Sequence, residues 1–216
     1  MGLCTVRFFT QVKKENQSPQ TKTSILHFLS KTYPYISLKK DCPMRKIVVY
    51  IATSMDGFIA RKNGSIDWLP TAEGEDYGYK DFLATIDTVL MGNNTYKQIL
   101  DFDIEYPYKD CANYVFTRNE ALIKDENTLF IQESPAEFMK KLKAEEGKDI
   151  WLIGGGEIVD IATKEHLADE LMLFIMPVII GDGLPLFLES SSDRKVELIS
   201  SRSYPTGVVA MHYQFL

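Results

Sequence analysis

From residue 44 onward the sequence predicts an α/β domain: a central mixed, mostly parallel sheet flanked by helices and closed by an antiparallel hairpin. Three observations carry this. Short runs rich in Ile and Val alternate with segments of helical spacing. Two of these runs, 89–91 and 151–153, end in glycine and open directly into a helical pattern, through Gly92-Asn93-Asn94-Thr95 and Gly154-Gly155-Gly156-Glu157. The final two runs, 196–203 and 208–215, are split by Pro205-Thr206-Gly207, the chemistry of a tight turn between paired strands.

Taken in order, residues 46–54 form the first strand, and 55–70 a long connection with turns at Asp56-Gly57 and Asn63-Gly64. Tyr79, Phe82, Leu83 and Ile86 recur on one face of a helix over 77–86. Residues 88–91 are a short buried strand. Thr95, with Gln98 three residues on, has the form of a capping box opening a helix at 95–100. Strands follow at 113–117 and 128–132. Ser134-Pro135-Ala136-Glu137 is a second capping box with proline at the first helical position, so a helix is expected over 135–146. A strand at 150–153, the glycines, a helix over 157–163 and a strand over 170–180 complete the alternation.

With 216 residues, 45% of them hydrophobic, the chain can bury one substantial core and carry an appendage. The appendage is residues 1–43, where seven Lys and Arg face two acids for a net charge of +5; the remaining 17 basic and 28 acidic residues leave 44–216 at −11. Only residues 5–12 of it are expected to order, and the functional domain is expected to be 44–216. The leader has no clean apolar stretch for secretion, and its single Arg fits an organelle-targeting peptide poorly. No apolar run reaches the roughly 18 residues of a membrane span, and the longest, 171–180, is broken by Pro177. The acidic balance argues against a nucleic-acid partner. Cys4, Cys42 and Cys111 fit neither a disulfide framework nor a zinc site, so no metal is expected and a reducing cytoplasm is the expected compartment.

The glycine junctions carry the functional signal. A helix start exposes N–H groups without acceptors and the positive end of the helix dipole, and glycine lets an anion approach the backbone. Two such starts suit one extended ligand with several phosphates. The second is not the G-x-G-x-x-G of a Rossmann domain, because Val159 stands at the third glycine position and the expected ribose acid about 20 residues on is missing.

Ile51-Ala52-Thr53-Ser54-Met55-Asp56-Gly57-Phe58-Ile59-Ala60, Gly64-Ser65-Ile66-Asp67-Trp68, Met91-Gly92-Asn93-Asn94-Thr95, Ile153-Gly154-Gly155-Gly156 and Gly181-Asp182-Gly183 follow one another in an order and spacing that resembles the dihydrofolate reductase-like superfamily. The likeness is greatest to its branch containing the reductase domain of riboflavin biosynthesis and small bacterial reductases, and it spans 44–216. It implies a three-layer fold, NADPH as cofactor with NADH as the alternative, a small-molecule substrate, and hydride transfer to a pteridine- or pyrimidine-like C=N or C=O. It also implies a homodimer, with the apolar C-terminal strand as the edge that pairs.

On the matching positions, the resemblance assigns Ala52 to the nicotinamide amide through its backbone, with Ile59 and Ala60 covering the ring and ribose. Gly92, Asn93, Asn94 and Thr95 hold phosphates, and Ile153, Gly154, Gly155, Gly156, Glu157 and Ile158 pass close to the pyrophosphate. Asn93 stands where the family's reductases often carry an Arg for the 2'-phosphate, so Arg118, just after Thr117, is the candidate replacement, its planar fork suiting a phosphate. The catalytic carboxylate falls on Asp76, with Glu73 and Glu75 nearby, and Asp56 and Trp68 border the substrate pocket. Each has a structural alternative: Asp76 as a helix-start acid, Asp56 as a turn former, Trp68 as a loop anchor, Thr95 as a cap. Three narrower functions stay open. A riboflavin-pathway uracil reductase is one, although no H-x-E and C-x-x-C deaminase signature occurs. Dihydrofolate reduction and a non-catalytic nucleotide sensor are the others.

Overall fold

A computed structural model describes residues 44–69, 75–102, 104–188 and 193–216. The expectations placed on residues 1–43, and on Glu73, lie outside the described residues. The elements in chain order are β1 (Ile47–Thr53), β2 (Phe58–Ala60), α1 (Tyr79–Thr85), β3 (Ile86–Gly92), α2 (Asn93–Leu100), β4 (Ala112–Phe116), β5 (Leu129–Ile131), α3 (Pro135–Lys143), β6 (Asp149–Gly154), α4 (Gly156–Lys164), β7 (Glu170–Ile175), β8 (Leu184–Pro185), β9 (Val196–Ser203) and β10 (Val209–Phe215). Eight strands form one sheet in the order β5-β4-β3-β6-β1-β7-β10-β9, parallel up to β7 and antiparallel beyond it.

Period-two alternation sends the side chains of the central strands into two cores. Ile47, Val49, Leu90, Ile150 and Leu152 pack under α3 and α4, which contribute Met139, Leu142, Ile158 and Val159. Val48, Val89, Met91 and Trp151 turn to the other face, where α1 supplies Phe82 and α2 supplies Tyr96 and Ile99. The result is the three-layer arrangement expected. Right-handed crossovers explain which helix lies where: connections running toward β5 leave α1 and α2 on one face, and those returning toward β7 leave α3 and α4 on the other. Among the described residues no helix is long and apolar enough to cross a membrane.

Four local expectations need correction. The loop after β1 contains β2, which pairs with the two-residue β8 across more than a hundred residues; no local pattern signals so short a non-local bridge. The strand expected over 170–180 ends at Ile175, because Pro177 has no N–H for the ladder. The helix expected to begin at Thr95 begins at Asn93, with Gly92 as its N-cap and no side-chain cap. Ser134 likewise makes no capping hydrogen bond, and α3 stops at Lys143 rather than near 146.

The N-terminal edge of the sheet is stapled by charge. The buried Arg45 guanidinium pairs with Asp87, donates to Thr88 Oγ1 at 2.6 Å and reaches the Lys148 carbonyl at 2.6 Å. Buried Lys143 donates to Asp169 at 2.5 Å and to the Leu167 carbonyl at 3.1 Å, while Asp169 also accepts the Ile47 N–H at 2.7 Å.

Candidate functional site at the carboxyl edge of the sheet

The opposite edge is where the glycine junctions fall. β3 and β6 are parallel neighbours whose register ends at Met91 opposite Gly154, so the two junctions are side by side. Thr95 Oγ1 accepts the Gly155 N–H at 3.1 Å, a direct tie between the two corners. Thr95 therefore sits inside α2 and caps the neighbouring junction rather than its own helix. The first-turn amides of α2, at Asn93 to Thr95, and of α4, at Gly156 and Glu157, have no acceptor among the described residues.

Strand order gives this edge a switch point. The chain leaves β6 through α4 on one face, and leaves its neighbours β3 and β1 through helices on the other, which is where a crevice opens beyond the carboxyl ends of a sheet. The β1–β6 ladder stops at Val49 opposite Leu152, whereas β1–β7 continues to Thr53 opposite Ile175. Lys46 C=O bonds toward β6 and Thr53 C=O toward β7, so by alternation the N–H and C=O of Ala52 point into the gap beside β6.

The three glycines have separate reasons. Gly154 adopts φ 144°, a conformation L-residues rarely hold. Gly155 is the N-cap of α4. At Gly156 a Cβ would lie 3.0 Å from the Pro185 carbonyl oxygen, so the chain around β8 closes on this residue from outside. Ile153 is partly buried beneath, and Ile158 is buried in the core with its Cγ1 3.6 Å from where a Cβ on Gly92 would be. Ile59 and buried Ala60 belong to β2, held over this edge by β8. Gln98 of α2 donates to the Gly64 carbonyl at 2.8 Å, which fastens the loop tip.

Thr117 and Arg118 follow β4, on the far side of β3. Thr117 Oγ1 accepts the Asn119 N–H at 3.1 Å, and Arg118 forms an ion pair with Glu157, which brings its guanidinium to the start of α4. The pocket candidates are elsewhere on the same edge. Asp56 is exposed and accepts the Gly181 N–H at 2.7 Å and the Ile180 N–H at 3.3 Å; the Ser54 hydroxyl first, then these amides, hold its carboxyl below the usual range. It clasps the turn after β7. Asp76 is exposed at the entry to α1 and its carboxylate accepts the Gly78 N–H at 3.0 Å. Trp68 packs with Ala52, Tyr50 and Tyr77 against Phe174, Met176, Tyr204 and Val208. No hydrogen bond among the described residues joins Asp76 or Asp56 to the glycine corners. In the loop above, Arg61 donates to Asp67 at 2.7 and 3.0 Å, and this guanidinium, then the Ser65 hydroxyl, pulls the Asp67 carboxyl down to about 2.

Tyr50, one strand repeat before Ala52, gives no site signal in the sequence: within Val48-Val49-Tyr50-Ile51 it reads as one more strand residue, and its ring stacks on Phe82. A cavity of about 240 Å³ lined by Lys46, Asp169, Glu170 and Arg194 lies at the opposite, stapled edge, away from these residues.

This topology, with two helix starts meeting beside a released first strand, defines a dihydrofolate reductase-like fold. The dihydrofolate reductase of Enterococcus faecalis, complexed with NADP(H), shares it at a TM-score of 0.58 and 16% identity, over 79% of this chain and 96% of that one. The chain belongs to the RibD C-terminal domain family, whose model matches residues 45–210. The uncharacterised protein YwjB of Bacillus subtilis strain 168 is 42% identical over 170 residues, which is 78% of this chain and 97% of YwjB. A Shewanella sp. PV-4 protein named for riboflavin biosynthesis superposes with a TM-score of 0.72 at 26% identity, covering 79% of this chain and 99% of that one.

Proposed function

We propose that this chain is an NADPH-dependent reductase that delivers hydride to a C=N or C=O of a small pteridine- or pyrimidine-like heterocycle. One observation carries the reading: the acceptor-free amides of two helix starts sit at adjacent strand ends, which suits a pyrophosphate spanning them. Family membership and the NADP(H) complex of a protein with the same fold support it.

The residues present fit a nicotinamide dinucleotide. Asn93, Asn94 and Thr95 on one side, and Gly156 and Glu157 on the other, hold the phosphates through their backbone amides, with Gly92, Gly154 and Gly155 keeping the approach clear; Ile158, whose N–H is taken by the Gly155 carbonyl at 2.9 Å, supports the turn from the core. Ala52 offers N–H and C=O to the carboxamide. Ile59, Ala60 and Ile153 exclude water around the ring. When bound, the reduced nicotinamide supplies the hydride. Asp76, or water it holds, gives the balancing proton to the substrate nitrogen or oxygen. Arg118, beside Thr117, exchanges Glu157 for the cofactor's 2'-phosphate; Glu157 and Asn93 keep NADH as the alternative. Asp56 fixes the loop, and Trp68 borders the substrate. The 1–43 leader is dispensable and the compartment is a reducing cytoplasm; the C-terminal strand β10 is paired on both sides, by β7 and β9, so the edge expected of it is corrected to β9, along which a second copy pairs.

Thermal shift with NADPH and NADH, then oxidation of the reduced cofactor with dihydrofolate and with a phosphoribosylaminouracil, tests this. Stabilisation by either dinucleotide is expected; no shift with either would end the reading. Family membership favours one second reading, reduction of the phosphoribosylaminouracil of riboflavin biosynthesis, and turnover of that substrate alone would select it.

A further inference from the structure

Tyr77 holds a backbone conformation that its side chain disfavours. The Tyr79 N–H closes a turn on the Asp76 carbonyl at 2.8 Å, and both residues between them are left-handed, Tyr77 at φ 52° and Gly78 at φ 80°. Such a turn normally carries Asn, Asp or Gly at its centre, since a β-carbon is strained there. Among the described residues the other non-glycine residue with positive φ is His166, at φ 56°. His166 follows α4, where a left-handed residue lets the Leu167 N–H return to the Ala162 carbonyl at 2.8 Å. Tyr77 precedes α1 and needs another cause.

That cause is the turn between β9 and β10. The Tyr77 hydroxyl donates to Thr206 Oγ1 at 3.2 Å, and its ring meets Tyr204 edge-on, with centroids 4.9 Å apart and planes at 79°. The hairpin turn is itself fixed: the Gly207 N–H returns to the Tyr204 carbonyl at 2.9 Å, and a Cβ on Gly207 would stand 3.3 Å from the Pro177 ring. Strain in one turn is thus sustained by contacts to another. The strained turn also carries Asp76, whose carboxylate accepts the Gly78 N–H at 3.0 Å within the same four residues. Burial, then Tyr204, Tyr79 and Asp76, push the ionisation of the Tyr50 hydroxyl above the usual phenol range, so the Asp76 carboxylate is within electrostatic reach of Tyr50. Tyr50 lies one strand repeat before Ala52, on the same face of β1.

We infer that Tyr77 is a positioning residue: by latching the 76–79 turn to Tyr204 and Thr206 of the hairpin, it holds the Asp76 carboxylate in place beside β1. This rests on the reductase reading, in which Asp76 supplies the proton, and makes the hairpin the part of the fold that sets its aim.

The test uses the full chain with Tyr77→Phe, Thr206→Val and Thr206→Ser. Amide hydrogen exchange at Gly78 and Tyr79 is expected to rise about fivefold in Tyr77→Phe and in Thr206→Val, the size of one neutral hydrogen bond, and to rise no further when the two are combined. The Asp76 carboxyl-carbon resonance should move in the same two variants. Thr206→Ser keeps the accepting oxygen and should match wild type in both measurements. In NADPH oxidation with dihydrofolate and with a phosphoribosylaminouracil, Tyr77→Phe and Thr206→Val should lose about tenfold in kcat with the KM for NADPH unchanged, and Thr206→Ser should retain kcat. A threonine acting by packing alone would give the reverse order, with Val tolerated and Ser impaired. Unchanged exchange, an unmoved Asp76 resonance, a wild-type kcat in Thr206→Val, or equal losses in Thr206→Ser and Thr206→Val overturns the inference. Absence of NADP+ binding and of turnover in wild type counts against the reductase reading instead, and the exchange and carboxyl measurements, which need no ligand, still judge the latch.

Discussion

The two edges of the central sheet solve the same problem in opposite ways. At the N-terminal edge the two buried cations Arg45 and Lys143 are paired within the protein: Arg45 with Asp87, Thr88 and Lys148, and Lys143 with Asp169 and Leu167. At the carboxyl edge the amides of Asn93 to Thr95, Gly156 and Glu157 have none among the described residues, and ion pairs such as Arg61–Asp67 and Arg118–Glu157 lie on the surface. Satisfied polar networks fix a structure. Unsatisfied donors on a rigid frame are what a ligand can satisfy. The lesson is that the stapled edge holds the strand ends still so that the open edge can keep its donors aimed.

The comparison breaks first at Asp87. Asp87→Ala leaves the Arg45 guanidinium, whose side chain is 4% exposed, buried without its counter-charge, and is expected to cost about 3 kcal/mol in urea unfolding. Dinucleotide affinity of the folded fraction should hold; if it falls in parallel, the edges are not separable. Arg118→Ala is the converse. Its side chain is 86% exposed, so unfolding should move by less than about 0.5 kcal/mol, whereas NADPH affinity should drop roughly tenfold and NADH affinity should not. Equal losses for both dinucleotides would remove Arg118 from the 2'-phosphate.

Thr95→Ala sharpens the comparison from within the open edge. It deletes the 3.1 Å tie to the Gly155 N–H, and about 1 kcal/mol of stability should go with it. Dinucleotide affinity should weaken as the corners loosen, and an unchanged affinity would show the tie to be structural alone. The smallest effect concerns pH. Asp67 is exposed and its pKa is depressed to about 2, so its contribution to loop order is complete above the unfolded carboxylate value and is lost as pH falls through about 2. A carboxyl-carbon NMR titration of Asp67 with a midpoint near the ordinary Asp value would contradict the Arg61 tie.

Much of the frame could be read from residues alone, because Ile, Val and aromatic runs with clean turn chemistry leave few alternatives for strands, and glycine at a strand end followed by helical spacing marks β3–α2 and β6–α4. What failed was non-local. The β2–β8 pair joins three residues to two across the chain, too short for any periodic signal. Thr95 matched a capping pattern, but its hydroxyl found a donor in the next corner 60 residues away. Gly156 reads as part of a phosphate loop, and its sequence neighbourhood does not reveal that the Pro185 carbonyl also stands 3.0 Å from where its Cβ would be. Asp56 and Asp76 have the residue type for acid chemistry, and sequence carries no record of which backbone amides they would meet.

The central claim is that both corners grip one dinucleotide at once, and amide NMR tests it most directly. Titration of the 15N-labelled protein with NADP+ should shift Asn93, Asn94, Gly156 and Glu157 together along one saturation curve, with Lys46 and Lys143 at the stapled edge unmoved. Shifts confined to one corner, or two corners saturating at different concentrations, would contradict it.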